Sequence, residues 1–142
     1  MKKFVLISIT LLGLTACSQG FATMTDRTSS PCGDKPNCVS TQDTRTDYAL
    51  EPFVLHSDAN INDILNAALQ LPGAKSAVKT DSYLRIECTS KILRFVDDLE
   101  LRIENGKLLV RSESRVGYSD FGVNRKRVKT LRGILTAEGL IQ

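Results

Sequence analysis

Apolar residues along this chain follow two periods, and the switches between them mark its elements. Ile61, Ile64, Leu65, Ala68 and Leu69 recur at the spacing of one helix face. Asn60 is placed to cap that helix, Asp63 stands where the positive end of its dipole favours an acid, and Pro72-Gly73 ends it. Between Tyr83 and Thr89 the period drops to two: Leu84, Ile86 and Cys88 alternate with Arg85 and Glu87, as in a half-buried strand. Ser76 to Thr80 is a shorter strand candidate, and Phe53-Val54-Leu55 is either a short strand or an apolar patch packed on the domain. Phe95 to Ile103 and Lys107 to Ser114 predict a hairpin, because Asn105-Gly106 between them tolerates the positive φ of a type I′ turn. Helical spacing returns near Asn124 with Val128, Leu131 and Leu135, and Gly139 follows its end.

The turn fixes a register in which Glu104 faces Lys107, Ile103 faces Leu108, Leu101 faces Val110 and Glu100 faces Arg111. Leu99, Leu101, Ile103, Leu108 and Val110 then share the core side. Asp98, Glu100, Arg102, Arg111, Glu113 and Arg115 share the other side, among exposed cross-strand partners. Asp97 breaks the pattern, since it falls on the apolar face, opposite Ser114 and beside Ser112. A lone buried carboxylate is costly, so Asp97 must meet water at the sheet's end or a cationic partner. These elements predict an α+β fold: an antiparallel meander of three to four strands packed with an N-terminal and a C-terminal helix, in one domain over residues 48–142.

Two segments of different character precede that domain. Lys2-Lys3, the uncharged run from Phe4 to Leu14 and the small residues before Cys17 have the layout of a removable secretory signal over residues 1–16. The run is shorter than the roughly 17–25 apolar residues of a spanning helix. Leu14-Thr15-Ala16-Cys17 resembles the lipobox of bacterial lipoprotein signals, which implies cleavage before Cys17 and a diacylglycerol on its sulfur. Residues 17–47, rich in Ser, Thr, Gly, Asp and Pro, read as a lipidated tether and cysteine-containing lead-in. The expected setting is the cell envelope, with the membrane as partner through the acyl anchor. Ser18 lacks the aspartate that marks inner-membrane retention, so the expected site is the periplasmic face of an outer membrane.

Charge and cysteine usage narrow the options. Losing Lys2 and Lys3 with the signal lowers the formal charge from +3 to +1. That leaves no global field for steering nucleic acid, and export argues against such a partner. Outside the cytoplasm disulfides persist. Cys32 and Cys38 flank Gly33-Asp34-Lys35-Pro36-Asn37, turn residues that bring their ends together; a Cys38–Cys88 bridge, or three free thiols, remain alternatives. Two cysteines and the distant His56 are too few ligands for a metal site, and neither metal nor cofactor is expected.

Two stretches of the chain resemble a bacterial family, the domain of unknown function 1499. One is Pro36-Asn37-Cys38-Val39-Ser40. The other runs from Phe95-Val96-Asp97-Asp98-Leu99-Glu100 through Val110-Arg111-Ser112-Glu113-Ser114-Arg115-Val116-Gly117-Tyr118-Ser119-Asp120-Phe121-Gly122-Val123-Asn124-Arg125-Lys126-Arg127. The resemblance spans most of the mature chain from about Cys32 onward. It implies the envelope setting common among such proteins, and brings no reaction, ligand or partner with it.

The candidate site is the polar cluster of those stretches: Asp97, Asp98, Glu100, Arg111, Ser112, Ser114, Arg115, Ser119, Asp120, Asn124, Arg125 and Arg127. Three readings compete for it. As architecture, an arginine from the first turn of the last helix meets Asp97, and Ser112 and Ser114 fill its remaining lone pairs. As an envelope hydrolase, Asp97, Asp98 or Glu100 is the acid or base while Arg111 or Arg115 holds an anionic substrate. No Gly-x-Ser-x-Gly nucleophile elbow accompanies them and no catalytic residue is assigned. As a binding surface, Arg125, Lys126, Arg127, Lys129 and Arg132 face an anionic lipid, or the polar hairpin face docks another envelope protein. An open pocket beside Asp97, Ser112 and Arg115 is expected if substrate chemistry occurs there, and a filled one if the cluster is architectural.

Overall fold

The computed structural model describes residues 25–142; the expected signal over 1–16 and the lipidation site Cys17 lie outside the described residues. In chain order the elements are β1 (Cys38–Ser40), β2 (Phe53–Val54), α1 (Ile61–Ala68), β3 (Ala74–Lys79), β4 (Tyr83–Thr89), β5 (Val96–Glu104), β6 (Lys107–Ser114) and α2 (Val123–Ala137). The fold is α+β, with one six-stranded antiparallel sheet and two helices. Strands β3 to β6 form a four-stranded meander. The sheet is larger than three to four strands because β1 and β2 both add antiparallel to the outer side of β6. β1 has too few residues to display a period, so only pairing reveals it, whereas β2 falls within the Phe53-Val54-Leu55 strand candidate.

Local chemistry accounts for the long elements. Asn60 accepts from the backbone N–H groups of Asn62 and Asp63, while the Asp63 carboxylate accepts from the Asn60 N–H, closing a capping box. Asn105 and Gly106 adopt φ of 50° and 71°, and the pairing that follows sets Glu104 against Lys107, Leu101 against Val110 and Asp97 against Ser114. Leu84, Ile86, Leu99, Leu101, Leu108 and Val110 on the sheet's inner face join Ile64 of α1 and Val128, Leu131 and Leu135 of α2 in one core. At roughly 1.5–3 kcal/mol for each large aliphatic side chain fully buried, this cluster is the main stabilising term.

The sheet's outer face departs from the expectation of solvated cross-strand pairs. Asp98, Glu100 and Arg111 are only 1%, 0% and 5% exposed. Residues 25–31, inside the expected tether, lie over Glu100 and Arg111, while Arg115 covers Asp98. Asp26 pairs with Arg102, Arg27 reaches Glu100 and Glu113, and the Arg111 Nη1 donates to the carbonyls of Ser30 and Pro31. This strap is held by ions and backbone carbonyls rather than by apolar burial, which is why its composition resembles a linker. Cys32 and Cys38 are joined by a disulfide, and Cys88 is a free, buried thiol that burial pushes up in pKa. Beside the bridge, the Asp43 carboxylate accepts from the Cys32 N–H at 2.9 Å and pairs with Arg45.

Candidate functional site

The polar cluster separates into two groups, because alternation along β5 and β6 sends neighbours to opposite faces. The inner group is centred on Asn124, fully buried in the first turn of α2. Arg127, one helical step further, donates from Nη2 to Asp97 at 2.6 Å. Its Nη1 donates to the Asn124 Oδ1 at 2.6 Å and to the Ser112 Oγ at 3.1 Å. The cationic partner expected for Asp97 is therefore present, and α2 supplies it. The two serines act differently from the expectation. Ser112 donates to the Asn124 Oδ1 at 2.6 Å and Ser114 accepts from the Asn124 Nδ2 at 2.9 Å, so both orient the amide rather than the carboxylate.

Asn124 also ties the two family-like stretches together. Its Nδ2 lies 3.0 Å from the Asn37 carbonyl and 2.7 Å from the Asp120 Oδ2, and Asp120 in turn accepts the Asn124 backbone N–H at 2.8 Å. Asn37 reaches back from its own amide to the Gly117 carbonyl. Sequence spacing does not single out Asn37; its place in the Pro36-Asn37-Cys38 stretch is the available signal.

The outer group is a layer of crossed ion pairs. Arg115 forks onto Asp98 at 2.8 and 2.7 Å and also reaches Glu87 at 2.6 Å. Glu100 accepts from the Tyr83 hydroxyl at 2.9 Å and from the backbone N–H and Nε of Arg27. Burial first, then the Glu100 charge and its hydrogen bond, push the Tyr83 phenol upward in pKa. Arg111 binds Glu113 as well as the strap carbonyls. Arg111 is thereby buried beneath the strap rather than presented to solvent. Arg27, Tyr83, Glu87 and Glu113 are the contributors outside the cluster selected from sequence. Arg85 lies in the same layer, with Nε and Nη1 buried and without a hydrogen-bond partner among the described residues.

The five cations of α2 are not an equivalent solvated row. Arg125 donates to the carbonyls of Ala49 and Asp47, Arg127 holds Asp97, and Arg132 donates to the carbonyls of Glu51 and Pro52 while stacking 3.6 Å over the Phe53 ring. Three of the five thus fasten the helix to the rest of the fold. Ser119, Asp120 and Arg125 line a cavity of about 240 Å³ beside Cys38.

A larger groove, about 430 Å³, opens on the far side of Arg127. It is lined by Leu71, Pro72 and Gly73 of the turn after α1, by Cys88 and Thr89 of β4, and by Val123, Lys126 and Thr130 of α2. Lys91 and Arg94, from the loop joining β4 to β5, also line it. Gly73 is required here: its φ is +69°, and a Cβ would stand 2.1 Å from the Thr89 carbonyl oxygen. Neither cavity is lined by Asp97, Ser112 or Arg115. The apolar Ile92-Leu93 pair between Lys91 and Arg94, in a loop rather than a strand, is the sequence feature that marks this site.

Among the described residues no group of three or more His, Cys, Asp or Glu side chains is arranged to hold a metal ion. No described helix is long and apolar enough to cross a membrane. A family model described as "Protein of unknown function (DUF1499)" matches residues 29–135. No curated protein matches the chain.

Proposed function

We propose that this chain, which belongs to the DUF1499 family, is a lipid-anchored cell-envelope protein working by non-catalytic binding or assembly. The observation that carries the non-catalytic part is the state of the candidate acids. Asp97, Asp98 and Glu100 are buried, and each is held by an arginine: Arg127, Arg115 and Arg27 respectively. A general acid or base must reach a substrate proton, and a carboxylate sealed under a guanidinium is poorly placed for that. The anchor rests on Leu14-Thr15-Ala16-Cys17, read as a lipobox, and the proposed location is the periplasmic face of an outer membrane. Stable attachment takes more than one acyl chain at about 0.8 kcal/mol per buried CH₂, which N-acylation of the new terminus would add to the diacylglycerol.

Intact-mass spectrometry of the protein recovered from bacterial membranes tests this reading. The expected species begins at Cys17 and carries the mass of a diacylglycerol and a further acyl chain. An intact Met1 with an unmodified thiol at Cys17 contradicts it.

A further inference from the structure

We propose that the groove between the Gly73 turn, the β4–β5 loop and α2 receives the acyl chain of an anionic amphiphile, whose headgroup meets Lys91, Arg94 and Lys126. The proposal rests on the binding reading above and names its ligand class, but it does not depend on modification of Cys17. At about 430 Å³ the groove falls in the size range of small-ligand sites, and its walls are mainly carbon. Leu71 and Cys88 are buried at its base.

Charge at the rim is one-sided. Lys91, Arg94, Lys126 and Arg127 line the groove and no carboxylate does. Arg127 is committed to Asp97, whereas the other three form no ion pair among the described residues. An anion arriving there is not competing with a resident carboxylate.

The rim is also greasy. Ile92 and Leu93, which lie in the chain between the lining residues Lys91 and Arg94, are 87% and 68% exposed, and Val123, itself a lining residue, is half exposed. Exposed apolar side chains next to a groove lined by cations suit contact with an amphiphile. Arg94 and Phe121 both adopt left-handed backbone conformations at this end of the sheet, with φ of 56° and 52°; such conformations in large residues concentrate at functional sites. A small hydrophilic anion would need the cations alone, and a neutral lipid the apolar walls alone. An acyl chain ending in a carboxylate or phosphate uses both.

The test uses the full chain in phosphatidylcholine vesicles with three photoactivatable probes: palmitate, phosphatidylglycerol and phosphatidylcholine, each with a diazirine on the chain. Cross-linked peptides are mapped by mass spectrometry. The expected result is labelling of the peptides holding Leu71–Gly73 and Val123–Thr130 by an anionic probe, at least tenfold above the zwitterionic one. Whether palmitate or phosphatidylglycerol labels more strongly identifies the source of the chain. Lys91→Glu/Arg94→Glu/Lys126→Glu should reduce this labelling at least tenfold, and Thr130→Trp, which fills the groove with its cations intact, should do the same. Equal labelling by all three probes, labels scattered over the surface, or labelling unchanged in both variants overturns the proposal. The intact mass of the same sample reports separately on Cys17, so failure of the anchor and failure of the groove are distinct results.

Discussion

Asp97 and the three groove cations Lys91, Arg94 and Lys126 lie on either side of Arg127, yet their charges do opposite work. Asp97 is buried and bonded to that guanidinium at 2.6 Å, while the lysines and Arg94 stand exposed without an ionic partner among the described residues. The contrast extends over the molecule, since every ion pair among the described residues uses arginine and none uses lysine. A planar guanidinium offers several fixed donors and is less strongly hydrated than an ammonium, so it suits a buried, geometrically demanding pair. Lysine left at a rim keeps its hydration until a ligand displaces it. Sealed charge here holds the fold, and unsealed charge is what remains for recognition.

The largest effect should come from breaking the sealed side. Asp97→Ala leaves the Arg127 guanidinium buried without its carboxylate and should cost about 3–5 kcal/mol in urea unfolding. Asp97→Ala/Arg127→Ala should cost clearly less than the sum of the two single changes, because no orphan charge remains. A loss below about 1 kcal/mol for Asp97→Ala would place the pair with exposed salt bridges and erase the contrast. Next in size, Asn124→Ala strips Ser112, Ser114 and the Asn37 carbonyl of their shared partner and should cost about 1–3 kcal/mol.

A smaller effect appears at alkaline pH. The folded state holds the Tyr83 pKa above its ordinary value near 10, so its contribution is complete below about pH 10 and is lost as pH rises beyond it. Unfolding midpoints of the natural protein should therefore fall more steeply above pH 10 than those of Tyr83→Phe. Parallel curves would mean that the phenol is not sealed. Smallest of all, Lys91→Ala/Arg94→Ala/Lys126→Ala should move stability by less than about 0.5 kcal/mol, as expected where a substitution touches no partner.

The same division explains how much of the molecule was legible from its residues. Asn105-Gly106 yields the whole β5–β6 register, and that register isolates Asp97 on an apolar face and so demands a cation. Helical spacing from Asn124 onward then brings α2, and with it Arg127, to that face. The strap and the short strand β1 escape such reasoning, because ion pairs and backbone bonds carry no period. Glu100 and Arg111 look solvated for the same reason: the residues that cover them, Asp26 to Pro31, have the composition of a linker. The groove is assembled from Leu71, Cys88 and Thr130, which no local pattern relates. Only the misplaced apolar pair Ile92-Leu93 hints at it.

The most direct test of the division is the photolabelling map of Lys91→Glu/Arg94→Glu/Lys126→Glu, recorded below the onset of unfolding for both it and the natural protein. The account predicts an unfolding curve close to that of the natural protein, with anionic-probe labelling of the Val123–Thr130 peptide at least tenfold lower. Undiminished labelling on that peptide, or a variant that no longer unfolds cooperatively, would contradict it.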